Sequence, residues 1–139
     1  MAIIIDATDT IVGRFSTVAA KQALLGEKVD IINCEKAIIS GDKYGIIAAT
    51  FRRRNLGTFK GPFYIRQPDR FVRRIIRGML PYKQTRGRDA YKRIMCHVGV
   101  PDEFKDGKAI RMEEATSEKL PNSKYMLVGE LCRRIGGKA

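Results

Sequence analysis

The 139-residue sequence predicts an α/β fold. A short apolar run at residues 2–5, ending in Asp6, and a second strand at residues 29–33 enclose a stretch of helical periodicity, the pattern of a β-α-β unit with parallel strands. Farther on, one helix alternates aliphatic and arginine faces. A hydrophobic fraction of 44% gives a chain of this length a core for one domain spanning 1–139.

The first run is continuous rather than alternating, as in a strand buried on both faces. Thr10 is the expected N-cap of the next helix, where Ile11, Phe15, Val18, Ala19 and Gln22 recur at helical spacing and Leu25-Gly26 supplies a stop. After the strand at 29–33, residues 37–40 add a brief third strand. Gly41-Asp42 opens a helix with Tyr44, Ile47, Ala48 and Phe51 as its apolar stripe and Arg52, Arg53 and Arg54 in its last turn. Residues 55–68 form an irregular arm, because Gly57, Gly61, Pro62 and Pro68 break regular structure. Asp69 then caps a helix that buries Phe71, Val72, Ile75, Ile76, Met79 and Leu80 and turns Arg70, Arg73, Arg74 and Arg77 outward, until Pro81 ends it. Residues 82–92 are a basic loop running into a short helix, and 93–98 a strand. From Asp102 the chain becomes acidic and loop-rich, closing with a strand at 124–128 and a helix at 130–135.

Charge is concentrated in one block. Residues 52–93 hold fourteen Lys and Arg against Asp69 and Asp89 alone, a surplus of twelve that equals the net charge of the whole chain. The other residues are balanced, so the domain carries one intensely cationic region, which calls for a polyanion. Eleven of the fourteen bases are arginine, whose planar fork binds two phosphate oxygens and stacks on bases. The candidate RNA-binding residues are Arg52, Arg53, Arg54, Lys60, Arg66, Arg70, Arg73, Arg74, Arg77, Lys83, Arg86, Arg88 and Lys92. Phe59, Phe63, Tyr64 and Tyr82 stand among them; each either stacks on an unpaired base or packs onto its own domain.

Catalytic signals are weak. The chain has no G-x-G-x-x-G, Walker A, G-x-S-x-G or H-E-x-x-H motif, and the segment after the first strand contains one glycine, too little for a dinucleotide pyrophosphate. Cys34, Cys96 and Cys132 are scattered and unpaired by any C-x-x-C, and a single His97 completes no Cys/His metal set; they read as buried thiols and a core histidine. Asp6 and Asp9 read as strand-end and capping groups. Asp42 with Lys43 suits either N-capping or a phosphate contact. No catalytic residue, metal, cofactor or small-molecule substrate is expected. The N-terminus lacks a signal-peptide pattern and no apolar run approaches the roughly 20 residues that span a membrane, so a cytoplasmic protein without a membrane partner is expected.

Arg77-Gly78-Met79-Leu80-Pro81, with Asp6-Ala7, Gly13-Arg14, Asn33-Cys34-Glu35-Lys36, Ser40-Gly41-Asp42-Lys43 and Lys83…Arg86-Gly87-Arg88, resembles the large-subunit ribosomal protein 13 family in its archaeal and eukaryotic cytosolic branch. The resemblance covers nearly the whole chain, with the R-G-M-L-P string its most specific part, and is loose over 102–139, the branch-specific part. It implies a three-layer α/β/α domain on a short, mostly parallel sheet. It further implies a non-enzymatic constituent of the large ribosomal subunit that binds large-subunit RNA, adjoins other large-subunit proteins and supports assembly. The family's RNA-contacting region falls on the bases around Arg70 to Arg77, Lys83, Arg86 and Arg88. The sequence leaves two alternatives open: an RNA-modifying or nucleotide-using enzyme, and a regulatory mRNA-binding protein acting off the ribosome.

Overall fold

A computed structural model describes residues 2–138. Strand β1 (Ala2–Asp6) leads to helix α1 (Val12–Leu25), and β2 (Lys28–Ile32) returns parallel to β1, which is the expected β-α-β unit. Helix α1 ends where foreseen, with Gly26 at φ 106° returning its N–H to the Ala23 carbonyl. Its start differs. Bridges to Thr116 and Ile38 hold Thr10 and Ile11 extended, so Ile11 occupies the N-cap without a side-chain bond. Thr10, expected as the cap, is buried and donates its hydroxyl to the Thr8 carbonyl at 3.0 Å.

Strand β3 (Ile38–Ser40) precedes α2 (Lys43–Asn55), and the arm then leads to α3 (Pro68–Met79), α4 (Thr85–Lys92) and β4 (Ile94–Cys96). Beyond these lie β5 (Ile110–Arg111), β6 (Tyr125–Leu127) and α5 (Val128–Arg134), with three short 3₁₀ turns between Asp102 and Lys119. The main sheet has the order β4-β2-β1-β5, all parallel, while β3 pairs antiparallel with β6. The α/β class on a short, mostly parallel sheet is as expected. Strand β5 has no counterpart in the sequence pattern, because two residues carry no periodicity.

Register decides where the core sits. Ile3, Val29 and Ile94 align across the sheet, as do Ile5, Ile31 and Cys96, and this face meets Phe15 and Ala19 of α1 and Val72 and Ile76 of α3. The alternate residues, Ile4, Asp30 and Met95, face the other way. There the chain after Pro101 forms a thin cover, with Phe104 against His97 and Gly107 over Ile4. Burial of β1 on both faces is therefore only partial: Ile5 is enclosed, whereas Ile3 and Ile4 are half-buried.

A second cluster joins Met126, Leu131 and Ile135 to Ile46, Ile47 and Phe51 of α2. The Asp42 carboxylate caps α2 by accepting the Gly45 N–H at 3.1 Å. The expected stripe on α2 is corrected. Tyr44 and Ala48 face solvent, while Ile46 and Thr50 turn inward beside Ile47 and Phe51. Apolar residues surround the first two turns of this helix, so the sequence does not single out one face.

Candidate nucleic-acid interface

Helix α3 begins earlier than its sequence suggests. Gln67 is the N-cap and Pro68 takes the first helical position, where a missing N–H costs nothing. Asp69 thus lies in the first turn, where the helix dipole favours its charge, rather than at the cap. Val72, Ile76 and Leu80 are fully buried against the main core. Met79, expected to join them, is 41% exposed.

This burial fixes the rotation of α3 and sends Arg70, Arg74 and Arg77 outward. Arg74 lies over the Tyr64 ring at 5.7 Å and Arg77 over Tyr82 at 4.8 Å. A guanidinium resting on an aromatic face keeps its N–H edge directed to solvent, which suits a phosphate. Arg73 departs from the expected outward face. Its Nε donates to the Ile94 carbonyl at 3.0 Å, its Nη2 to the Tyr91 carbonyl at 3.4 Å, and it covers the Tyr91 ring at 4.4 Å. Met95 bonds toward β2, so the Ile94 carbonyl points off the free edge of the sheet, and Arg73 closes that edge.

Past Leu80 the chain turns through Lys83 into α4, and Gly87 sets the approach. A Cβ there would stand 2.1 Å from the Pro81 carbonyl oxygen, so only glycine lets α4 lie on that backbone with Arg86 and Arg88 beside it. Lys83, Arg86 and Arg88 are exposed, Arg88 reaching the Thr85 hydroxyl at 3.4 Å. Lys92 pairs with Asp89 at 3.9 Å, a weak surface contact.

At the end of α2, Arg52 and Arg53 are exposed, but Arg54 turns back. Its Nη1 donates to the Ile135 carbonyl at 2.9 Å and it stacks on Phe51 at 4.6 Å. The C-terminal segment also braces the arm, because the backbone of Gly137 packs on the Arg66 carbonyl closely enough to exclude a side chain. Sequence reasoning missed both supports; a glycine pair near the end of a chain carries no sign of what it touches. Between Lys43 and Pro68 there is no acidic residue at all. The side chains of Arg52, Arg53, Lys60, Arg66, Arg70 and Lys83 make no hydrogen bond or ion pair with another described residue. Arg53 and Arg74 also border an apolar groove of about 570 Å³ between α1, β3, α2 and α3.

The groups weighed for chemistry are used internally. The Asp6 Oδ1 accepts from the Thr8 N–H and hydroxyl and from Asn33, tying the ends of β1 and β2 together. Burial raises its pKa, but these bonds and the Arg111 charge outweigh burial and hold it below the ordinary value. Lys43 pairs with Glu130 at 3.8 Å and Asp9 with Arg111 at 3.7 Å. His97 Nε2 stands 3.4 Å from Asp30 Oδ1. All three cysteines are buried and free. A hydrogen bond with Cys96, then burial, pushes the Cys34 thiol well up, and burial together with the Asp69 charge pushes Cys132 up to about 12. Such thiols are poor nucleophiles and metal ligands. Among the described residues no cluster of His, Cys, Asp and Glu suits a metal, and no helix is long and apolar enough to cross a membrane.

The sequence has known relatives. The family model for ribosomal protein L13 matches residues 1–103. Large ribosomal subunit protein uL13 of Methanococcoides burtonii is 42% identical over 136 residues, covering 97% of this chain and 98% of the relative. The uL13 of Methanosarcina barkeri is 43% identical over 137 residues, 97% and 98% of the two chains. That of Archaeoglobus fulgidus is 41% identical over 135 residues, 96% and 86%.

Proposed function

The chain belongs to the ribosomal protein L13 family, structural and non-enzymatic proteins of the large ribosomal subunit, and from that premise we propose that its arginine-rich side binds large-subunit ribosomal RNA and supports subunit assembly. Its place is the cytoplasmic ribosome, among neighbouring large-subunit proteins. The carrying observation is the array of bases without acidic partners: Arg70, Arg74 and Arg77 on α3, Lys83 and Arg86 beyond it, and Arg52, Arg53, Lys60 and Arg66 on α2 and the arm. Phosphate oxygens supply the missing counter-charge, and a rigid α/β body presents all these donors at once.

Within residues 52–93 the bases divide into two roles. Arg54, Arg73 and Arg93 spend their forks on carbonyls of their own chain and hold the surface in shape, while Lys92 makes only a weak surface pair with Asp89. The outward bases meet RNA. Residues 1–139 act as one domain, in which residues 104–137 brace the arm and cover the sheet. Sedimentation of the endogenous protein through a sucrose gradient tests the assignment. The protein should travel with large subunits; a pool found wholly free of them, bound to messenger RNA, would contradict it.

A further inference from the structure

Two aromatic side chains remain unused. Of the four that stand among the bases, Tyr64 is half-buried beneath Arg74 and Tyr82 lies under Arg77, so both have partners within the chain. Phe59 is 103% exposed and Phe63 75% exposed. The Gly61 N–H donates to the Thr58 carbonyl at 3.1 Å, closing a turn that sets Phe59 and Lys60 at its two corner positions. The Phe63 ring lies along Gly61 at the same tip.

Large apolar rings held in water call for a cover, and the charge around them selects its chemistry. No acidic residue occurs from Lys43 to Pro68, so the cover must bring negative charge as well as a flat apolar face. An unpaired nucleotide offers both: a π-face for phenylalanine and a phosphate for Lys60. Paired bases do not, because stacking inside the duplex hides their faces. We infer that the arm tip, Phe59 and Phe63 with Lys60 between them, stacks on unpaired nucleotides of the RNA held by the arginine side. This rests on the RNA-binding reading above and adds the kind of RNA site: a loop, bulge or single-stranded junction. Phenylalanine has no hydrogen-bonding group, so the tip distinguishes unpaired from paired RNA and not one base from another.

The chain contains no tryptophan, which makes Phe59→Trp a clean reporter in the full-length protein. Deproteinised large-subunit RNA should quench the indole emission of this variant, while inorganic polyphosphate and a fully paired RNA duplex, bound at the same low salt, should leave it unchanged. Phe59→Leu and Phe63→Leu should each weaken binding to large-subunit RNA about tenfold, with the salt slope and Tm of the parent chain, since stacking is lost but no phosphate contact is. Indole emission that stays constant while the Phe59→Trp protein still binds the RNA tightly, or leucine variants of parental affinity, would overturn the stacking role and leave the arginine side standing. A blue shift of the emission with phosphatidylserine vesicles and no response to RNA would overturn it too, and assign the tip to lipid. A parent chain that fails to bind the RNA at low salt would remove the underlying reading, and this one with it.

Discussion

Arg73 and Arg77 lie one turn apart on α3, yet replacing them by alanine should have very different effects. Arg73→Ala deletes a charge-assisted bond to the Ile94 carbonyl at 3.0 Å, a longer one to Tyr91 at 3.4 Å, and the stack on the Tyr91 ring. A hydrogen bond from a charged group contributes roughly 1.5–3 kcal/mol and an accessible cation–π contact roughly 0.5–1 kcal/mol. With little credit for the longer bond, the loss is about 2–3 kcal/mol. At about 4 °C per kcal/mol for a chain of this size, Tm should fall roughly 8–12 °C. Arg77→Ala loses only the exposed stack on Tyr82 at 4.8 Å, about 1 kcal/mol or less. Arg73→Lys should recover only part of the loss, because an ammonium cannot reproduce the fork. Thermal unfolding followed by circular dichroism in RNA-free protein reads all three. Arg73→Ala and Arg77→Ala melting within about 1 °C of each other would refute the assignment of Arg73 to the sheet edge.

Gly87→Ala should destabilise by about 2 kcal/mol or more in urea unfolding, because the new methyl would meet the Pro81 backbone, with 2.1 Å to its oxygen; a neutral result would mean α4 is not seated there. Asp6 has a folded-state pKa below its ordinary 3.8, so the stability it contributes is complete above that value and is lost as pH falls through the lower, folded one. The gap between wild type and Asp6→Asn in urea unfolding should therefore narrow between pH 5 and pH 2, and a gap that widens on acidification would contradict the sign. Raised pKa values and burial should make Cys34 and Cys132 alkylate far more slowly in native protein than in urea at pH 8; rapid native labelling would show the region around them to be open.

Much of the architecture was legible because it is written in short-range patterns. The β-α-β start, the stop at Gly26, the cap at Asp42, the strands near Ile94 and Tyr125 and the buried line Val72, Ile76, Leu80 all follow from periodicity and turn chemistry. What escaped depends on distant partners. Thr10 loses its capping role because the bridge to Ile38, far along the chain, holds Ile11 extended and moves the cap one residue on. Arg73 fits the outward pattern of Arg70, Arg74 and Arg77, and only the position of β4 reveals that its fork is taken. Phe59 and Tyr64 look alike in sequence; one is bare and the other covered because the arm folds back over α3 at Tyr64 and not at its tip. The location of the basic region could thus be read from composition, but the separation of bracing arginines from free ones could not.

If phosphate contacts from the free bases dominate RNA binding, affinity for large-subunit ribosomal RNA must depend steeply on salt. With about eight bases meeting phosphates, affinity should fall roughly a thousandfold or more between 50 and 200 mM salt, and each of Arg70→Ala, Arg74→Ala and Arg77→Ala should lower the log–log slope by about one. An affinity nearly constant over that range, or slopes untouched by these substitutions, would contradict it.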